Sequence, residues 1–99
     1  MAERRHYEVM MVVDPRLEDA VIQQAIDRAL AVVTQRGSEV TKVDHWGRRR
    51  FAYEINHMRE GYYAVAELEA DSAALDELDR VLKLADEVVR HKIVRPGKD

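Results

Sequence analysis

The sequence contains no cysteine, which excludes both a disulfide framework and a metal site built from thiolates. It also contains no apolar run near the roughly 18 residues needed to cross a bilayer, and its first residues lack the apolar stretch of a signal peptide. These absences predict a soluble protein of a reducing compartment. A chain of 99 residues is too short for two cores, so residues 1–99 are expected to form one domain with short basic ends.

Motifs of catalysis and metal binding are missing as well. There is no glycine-rich phosphate-binding motif, and the first predicted strand leads into "DPRLED", which cannot cradle a phosphate with backbone N–H groups. Ser38 and Ser72 are better explained as a turn residue and a helix cap than as nucleophiles. The histidines are scattered, without ligand spacing to a convergent carboxylate. The sequence therefore predicts no catalytic residue and no metal site.

Charge is abundant but unevenly distributed. Charged residues make up 35% of the chain and the net charge is −3, which argues against indiscriminate binding to polyanions. Acidic residues concentrate in or beside the two segments with helical periodicity, whereas basic residues form three clusters. The clusters are Arg4, Arg5 and His6; Arg48, Arg49 and Arg50; and Arg90, His91, Lys92, Arg95 and Lys98. Any contact with nucleic acid is therefore expected to be local.

The first half of the chain alternates between strand and helix patterns. A period of two over residues 6–13 predicts a strand. Asp14 is predicted to cap a helix that has Pro15 at its first position, runs to Arg36 and ends at Gly37. A long strand follows from residue 38 to 55. This strand requires a bulge if Val40 and Val43, which have opposite parity, are both to face the core. A bend is also predicted at Gly47.

The second half repeats this order. The stretch "NHMREG" predicts a turn, and residues 62–70 alternate as a strand. Asp71 or Ser72 is predicted to cap a second helix, and "EVVRHKIVRP" predicts a last strand stopped by Pro96. The order βαββαβ predicts an α+β ferredoxin-like two-layer sandwich, with a four-stranded antiparallel sheet and both helices on one face.

The other face of this sheet is predicted to be open and apolar. Alternation directs Met10, Val12, Tyr63 and Val65 toward it, and an exposed apolar face indicates a partner. In the long strand, Phe51, Tyr53 and Ile55 are expected to fasten the second half to the core. Trp46, beside the bend, is expected to pack on neighbouring strands rather than to stack on a base.

The fold alone leaves several functions open. A free-standing ferredoxin-like regulatory or dimerisation module would use the open face without the arginines. An acylphosphatase-like enzyme would lack its anion cradle, and "GYYAVAEL" does not complete the signature of the common RNA-recognition motif. The stretches "RRHYEV" and "WGRRRFAYEI" combine guanidinium groups with aromatic rings, which suits contact with phosphates and bases. A solvated charge run is the alternative interpretation of the same residues.

Four stretches resemble the bacterial small-subunit ribosomal protein S-six family. They are "RRHYEVMMVVDP", "VTKVDHWGRRRFAYEI", "EGYYAVAELEA" and "LDELDRVLKLADEVVRHKIVRP", and together they cover the chain from Arg5 to about Pro96. The resemblance implies a structural constituent of the 30S particle in the cytoplasm, with no enzymatic activity, cofactor, small-molecule substrate or membrane contact. It further implies a heterodimer with the small-subunit ribosomal protein S-eighteen, which binds the central domain of 16S ribosomal RNA during platform assembly alongside other 30S components.

The resemblance also implies which residues carry these contacts. Matching the family's motifs position by position, and adding adjacent basic residues, gives RNA contacts at Arg4, Arg5, Tyr7, Arg48, Arg49, Arg50, Arg90 and Lys92. The partner-binding surface is predicted at Met10, Val12, Trp46, Tyr63 and Val65. The acidic net charge fits this interpretation, because the partner is a small basic protein that would supply much of the phosphate contact.

Overall fold

The computed structural model describes residues 4–55 and 58–96, with the backbone alone for residues 52–55. Its elements are β1 (Arg5–Val13), α1 (Asp19–Gln35), β2 (Glu39–Ile55), β3 (Met58–Ala70), α2 (Ser72–Leu84) and β4 (Val88–Val94). The strands form an antiparallel sheet in the order β2-β3-β1-β4, and both helices pack on one face. The predicted ferredoxin-like sandwich is confirmed. In the described part of the chain, no helix is long and apolar enough to cross a membrane.

The hydrophobic core lies between the sheet and the two helices. The central strands β1 and β3 contribute every second residue to it, as the period of two predicts. The helices contribute a stripe of residues at helical spacing. The buried core consists of Val9, Met11, Val13, Ile22, Ile26, Ala29, Leu30, Val33, Ala64, Ala66, Leu68, Ala70, Ala74, Leu78 and Leu82.

Helix α1 begins at Asp19, so the predicted N-cap at Asp14 is wrong. The Asp14 carboxylate instead accepts a hydrogen bond from the backbone N–H of Arg16 at 2.9 Å, and two more from the Arg16 guanidinium. The side-chain bond from Arg16 lowers the pKa of Asp14. Aspartate followed by proline suits such a turn as well as it suits a helix start. The turn therefore occupies the segment in which the pattern predicted the first helical turn.

The predicted end of α1 and start of α2 are confirmed. Gly37 has a φ of 81°, and the N–H groups of Gly37 and Ser38 donate to the carbonyls of Thr34 and Val33, both at 3.1 Å. This pattern is a Schellman motif, which favours glycine at the left-handed position. At the other helix, the Asp71 carboxylate accepts the N–H of Ala74 at 2.9 Å.

The long strand β2 has the two predicted irregularities. Its register against β3 shifts between Val40 and Lys42, and again between His45 and Gly47, where Gly47 has a φ of 82°. The hairpin is longer than predicted, because β3 begins at Met58 within the predicted turn. The remaining turn residues, 56–57, lie outside the described part of the chain, as do the side chains of Tyr53 and Ile55.

Candidate nucleic-acid interface

The face of the sheet opposite the helices carries apolar residues on its central strands. Met10 on β1 pairs with Val65 on β3, and Val12 pairs with Tyr63. These four residues alternate with the core positions of the same strands and therefore lie on the other face. We call this side of the sheet the open face, since neither helix covers it. The prediction that it carries these residues agrees with the register.

Val12 is expected to be exposed on this face, but it is only 1% exposed. The reason is a third side chain, Phe51, which lies on the open face and contacts Tyr63 edge-on at 6.2 Å between ring centroids. Gly61 has no side chain, and the space above it is filled by Val12 and by the Phe51 ring. The prediction that Phe51 fastens β2 to the helix-side core is therefore wrong, because its side chain lies on the opposite face of the sheet. It packs on the open face and covers Val12.

Trp46 adds a large exposed aromatic surface to this face. It lies at the bulge of β2, where the register shifts between His45 and Gly47. Its ring is nearly parallel to that of Tyr63, with 14° between the planes and 6.2 Å between the centroids. It remains 47% exposed. The guanidinium of Arg49 lies 5.6 Å from the centre of the Trp46 ring, within the range of a cation–π contact.

Basic side chains border the aromatic residues on both sides. Across the β1–β4 pairing, Arg90 lies opposite Val12 and Lys92 lies opposite Met10, so both belong to the open face. Arg49 pairs with Gly61 on the same face. All three are exposed, and none makes an ion pair or hydrogen bond with a residue that the structure describes. Arg50 is likewise exposed on the opposite side of β2, near the hairpin.

Arg48 is engaged within the protein. Its guanidinium donates to the carbonyl of Pro15 at 3.2 Å and to the carboxylate of Asp19 at 2.9 Å. It also lies 6.0 Å from the ring centre of Tyr62. These contacts fasten β2 to the turn between β1 and α1. Although Arg48 belongs to the same basic cluster as Arg49 and Arg50, its guanidinium is bound by other residues of the protein.

The predicted residues at the start of β1 lie away from the open face. Arg4 donates a hydrogen bond to the carbonyl of Gly37, at the C-terminal end of α1. Tyr7 is half-buried and packs against the core on the helix side. Arg5 is exposed, and its pairing with Ala70 places it on the helix side as well. The structure therefore separates the eight predicted RNA contacts into different surfaces and brings Arg49, Arg90 and Lys92 together.

The far end of the open face is acidic, a feature that the predicted site did not include. Glu8 lies directly opposite Glu67. The His6 ring contacts Glu69 at 2.7 Å through Nδ1 and Glu67 at 3.4 Å through Nε2. Strand alternation in the sequence could have indicated this acidic end, because Glu67 and Glu69 lie on the same side of β3 as Tyr63 and Val65. The open face thus runs from an aromatic and basic end to an acidic end.

Comparisons with known proteins give one consistent result. A family model described as "Ribosomal protein S6" matches residues 6–95. The chain is 46% identical over 94 residues to "Small ribosomal subunit protein bS6" of Desulforamulus reducens, covering 95% of this chain and 99% of that protein. It is 49% identical over 92 residues to the protein of the same name from Acidothermus cellulolyticus, covering 93% and 96%. A crystal structure of 30S ribosomal protein S6 from Thermotoga maritima is 29% identical, with a TM-score of 0.88 and coverage of 94% of this chain and 88% of that one.

Proposed function

Because the chain belongs to the ribosomal protein S6 family, we propose that it binds the central domain of 16S ribosomal RNA together with the small-subunit ribosomal protein S-eighteen. As a member of this family, the chain is a structural constituent of the small ribosomal subunit and not an enzyme. We place its binding step in the assembly of the 30S platform, on cytoplasmic ribosomes.

The RNA contact is assigned to the exposed basic residues Arg49, Arg50, Arg90 and Lys92. The observation that carries this assignment is their lack of an ion pair within the described part of the chain, in a protein whose net charge is −3. An exposed guanidinium without an internal partner keeps its donors for the phosphate oxygens, which it can contact in a bidentate way. We leave Arg4 and Arg48 out of the contact, because each already donates to backbone carbonyls.

The partner contact is assigned to the remaining apolar strip and to the acidic end of the open face. Met10 and Val65 pair across β1 and β3 in the middle of this face and are only half-buried. The acidic end begins two residues further along each strand, where Glu8 lies opposite Glu67. An apolar strip beside a group of carboxylates complements a small basic protein. The two ends of one face would thus hold the RNA and the protein partner side by side.

The test is the affinity for central-domain RNA of a double variant, Arg49→Ala with Arg50→Ala, measured in the presence of the partner protein. Each lost phosphate contact removes a charge-assisted hydrogen bond, so we expect RNA binding to weaken by at least about tenfold. The wild-type chain is also measured without the partner, where weaker binding is expected because this chain supplies few cations.

The matched control removes the same charge from the helix layer. Arg28 and Arg80 are exposed on α1 and α2, each paired with a glutamate, and the double variant Arg28→Ala with Arg80→Ala should leave RNA affinity nearly unchanged. Equal losses in the two double variants would show that only total charge matters. Unchanged affinity after the loss of Arg49 and Arg50 would refute the assignment.

A further inference from the structure

We propose that Trp46, supported by Tyr63, is a stacking platform for an unpaired RNA base, with Arg49 at the adjoining phosphate. This inference rests on the proposed RNA-binding function and gives it a chemical class of ligand: a single-stranded nucleotide rather than a duplex. Base–aromatic stacking is the principal means by which proteins hold single strands, because every base has a π-face.

The aromatic residues of the platform are held in a fixed arrangement. Trp46 and Tyr63 are nearly parallel, with 14° between their planes, and Phe51 braces Tyr63 edge-on at 66°. Tyr63 also has Val12, which is 1% exposed, as its partner on β1. The platform therefore stands on a filled layer and not on a loop. A side chain held in place on a strand loses little conformational freedom when a base binds to it.

Almost half of Trp46 remains exposed, at 47%, although it already packs on a neighbouring strand. This large aromatic surface lies beside an arginine rather than in an apolar surround. Arg49 lies 5.6 Å from the ring centre and has no carboxylate partner in the described part of the chain. A base and its phosphate need an aromatic ring and a cation together, and Trp46 with Arg49 supplies both.

A row of paired residues crosses the sheet at the platform. Gly47 on β2 pairs with Tyr63 on β3, Tyr63 pairs with Val12 on β1, and Val12 pairs with Arg90 on β4. Neighbouring strands are about 4.8 Å apart, so the backbone of Arg90 lies roughly 10 Å from that of Tyr63. Arg49 and Arg90 therefore lie on the same face, on the two outer strands of the sheet. A short single strand crossing from β2 to β4 would place phosphates near Arg49 and near Arg90, with a base on Trp46 beside Arg49.

The test uses the fact that the chain has a single tryptophan, so that tryptophan fluorescence, excited selectively over that of tyrosine, reports Trp46 alone. The full chain is titrated at low salt with a short single-stranded oligoadenylate, and with an abasic oligonucleotide of the same length and charge. We expect the oligoadenylate to quench the fluorescence and to bind about 5- to 100-fold more tightly than the abasic probe. This comparison requires no variant and does not depend on the stability of any.

Two substitutions sharpen the test. Trp46→Leu keeps an apolar side chain suited to a protein contact but removes the ring, so the preference for the oligoadenylate over the abasic probe should disappear. Trp46→Phe keeps a ring and should retain most of this preference, measured by a competition assay that does not use fluorescence. Circular dichroism of both variants checks that the fold is intact.

The possible outcomes distinguish the stacking platform from the proposed RNA binding. Equal affinity for the two probes, without quenching, would refute stacking while leaving phosphate binding in place. Absence of binding to either probe would refute the stacking platform, whereas the proposed function is tested separately by the affinity for central-domain RNA in the presence of the partner protein. If Trp46→Leu weakened binding of the basic partner protein and left the preference between the probes unchanged, Trp46 would be a protein contact and the proposal would be wrong.

Discussion

At the scale of single residues, Gly61 shows how closely packed the open face is. A Cβ atom at this position would lie 2.8 Å from Cζ of Phe51 and closer still to Cγ1 of Val12. No real Cβ contact is so short, so one of the neighbours would have to move. The backbone of Gly61 is ordinary strand. The requirement for glycine is therefore one of space, created by two apolar side chains that meet above it.

We predict that Gly61→Ala lowers the free energy of unfolding by about 1–3 kcal/mol, the usual cost of overpacking. The measurement is urea unfolding at equilibrium. Val12→Ala removes the nearest methyl groups and is itself expected to be destabilising, because it leaves a cavity. The double variant should lose less stability than the sum of the two single losses, since each change relieves the other. Simple additivity would show that Gly61 and Val12 do not share this space.

Residue-scale reasoning from the sequence succeeded where one local rule governs a position. Gly37 had to follow α1 because a left-handed residue closes a Schellman motif, and Asp71 caps α2 with its own side chain. It failed at Asp14, where the same letters fit a turn and a helix cap. Only the competing bonds to Arg16 decide between them. The contact of Arg48 with Pro15 joins residues far apart in sequence, and no local pattern contains it.

At the scale of elements, the long strand β2 belongs both to the helix-side core and to the open face. Its first half belongs to the helix-side core through Val40 and Val43, and its second half presents Trp46 and Arg49 to the open face. The opposite parity of Val40 and Val43 in the sequence was sufficient to predict the first bulge. The sequence could not predict which face Phe51 occupies, because the second bulge changes the phase of alternation for all later residues.

Strand β4 is connected to helix α2 by a polar contact. His91, with its side chain 13% exposed, donates from Nε2 to the Asp79 carboxylate at 2.7 Å. Lys83 contacts the other oxygen of this carboxylate at 2.9 Å. The hydrogen bond from His91, followed by that from Lys83, lowers the pKa of Asp79 below its ordinary value of 3.8. The edge strand that carries Arg90 is therefore tied to the helix layer from its other side.

This contact predicts part of the acid sensitivity of the fold. A carboxyl group whose pKa is lowered by folding stabilises the protein above its unfolded pKa, and this stabilisation is lost as the pH falls below about 4. The sign follows because the unfolded chain binds the proton more readily. We expect Asp79→Asn to be less stable than the wild type at neutral pH and to lose less stability between neutral and acidic pH, measured by urea unfolding across that range.

The control for this prediction is Asp76→Asn on the same helix. Asp76 is exposed and makes no ion pair with a residue in the described ranges, so its neutralisation should leave the pH profile close to that of the wild type. Asp14 and Glu87 also have lowered pKa values through hydrogen bonds, so Asp79→Asn should flatten the profile only in part. Identical pH profiles for Asp79→Asn and the wild type would contradict the role assigned to the Asp79 carboxylate.

Over the whole molecule, charge is distributed unevenly along the open face. Glu8 and Glu67 lie opposite each other at one end of this face, whereas the exposed Arg49 and Arg90 lie toward its other end, on β2 and β4. A net charge of −3 therefore does not oppose RNA binding at one end of the sheet. Composition indicated that nucleic-acid contact must be local. It could not indicate that β2 and β4, the two outer strands of the sheet, bring Arg49 and Arg90 to the same face.

The salt dependence of RNA binding should report the number of these cations that contact phosphates. Each phosphate contact contributes about 0.7–0.9 to the slope of log affinity against log salt concentration, because it releases condensed counterions. With the partner protein present throughout, we expect Arg90→Gln to weaken binding to central-domain RNA and to reduce the magnitude of this slope by about 0.7–0.9. Arg80→Gln, which removes a charge from the helix layer, should leave the slope unchanged. An affinity independent of salt, or a weaker affinity of Arg90→Gln with the wild-type slope, would mean that Arg90 does not contact a phosphate.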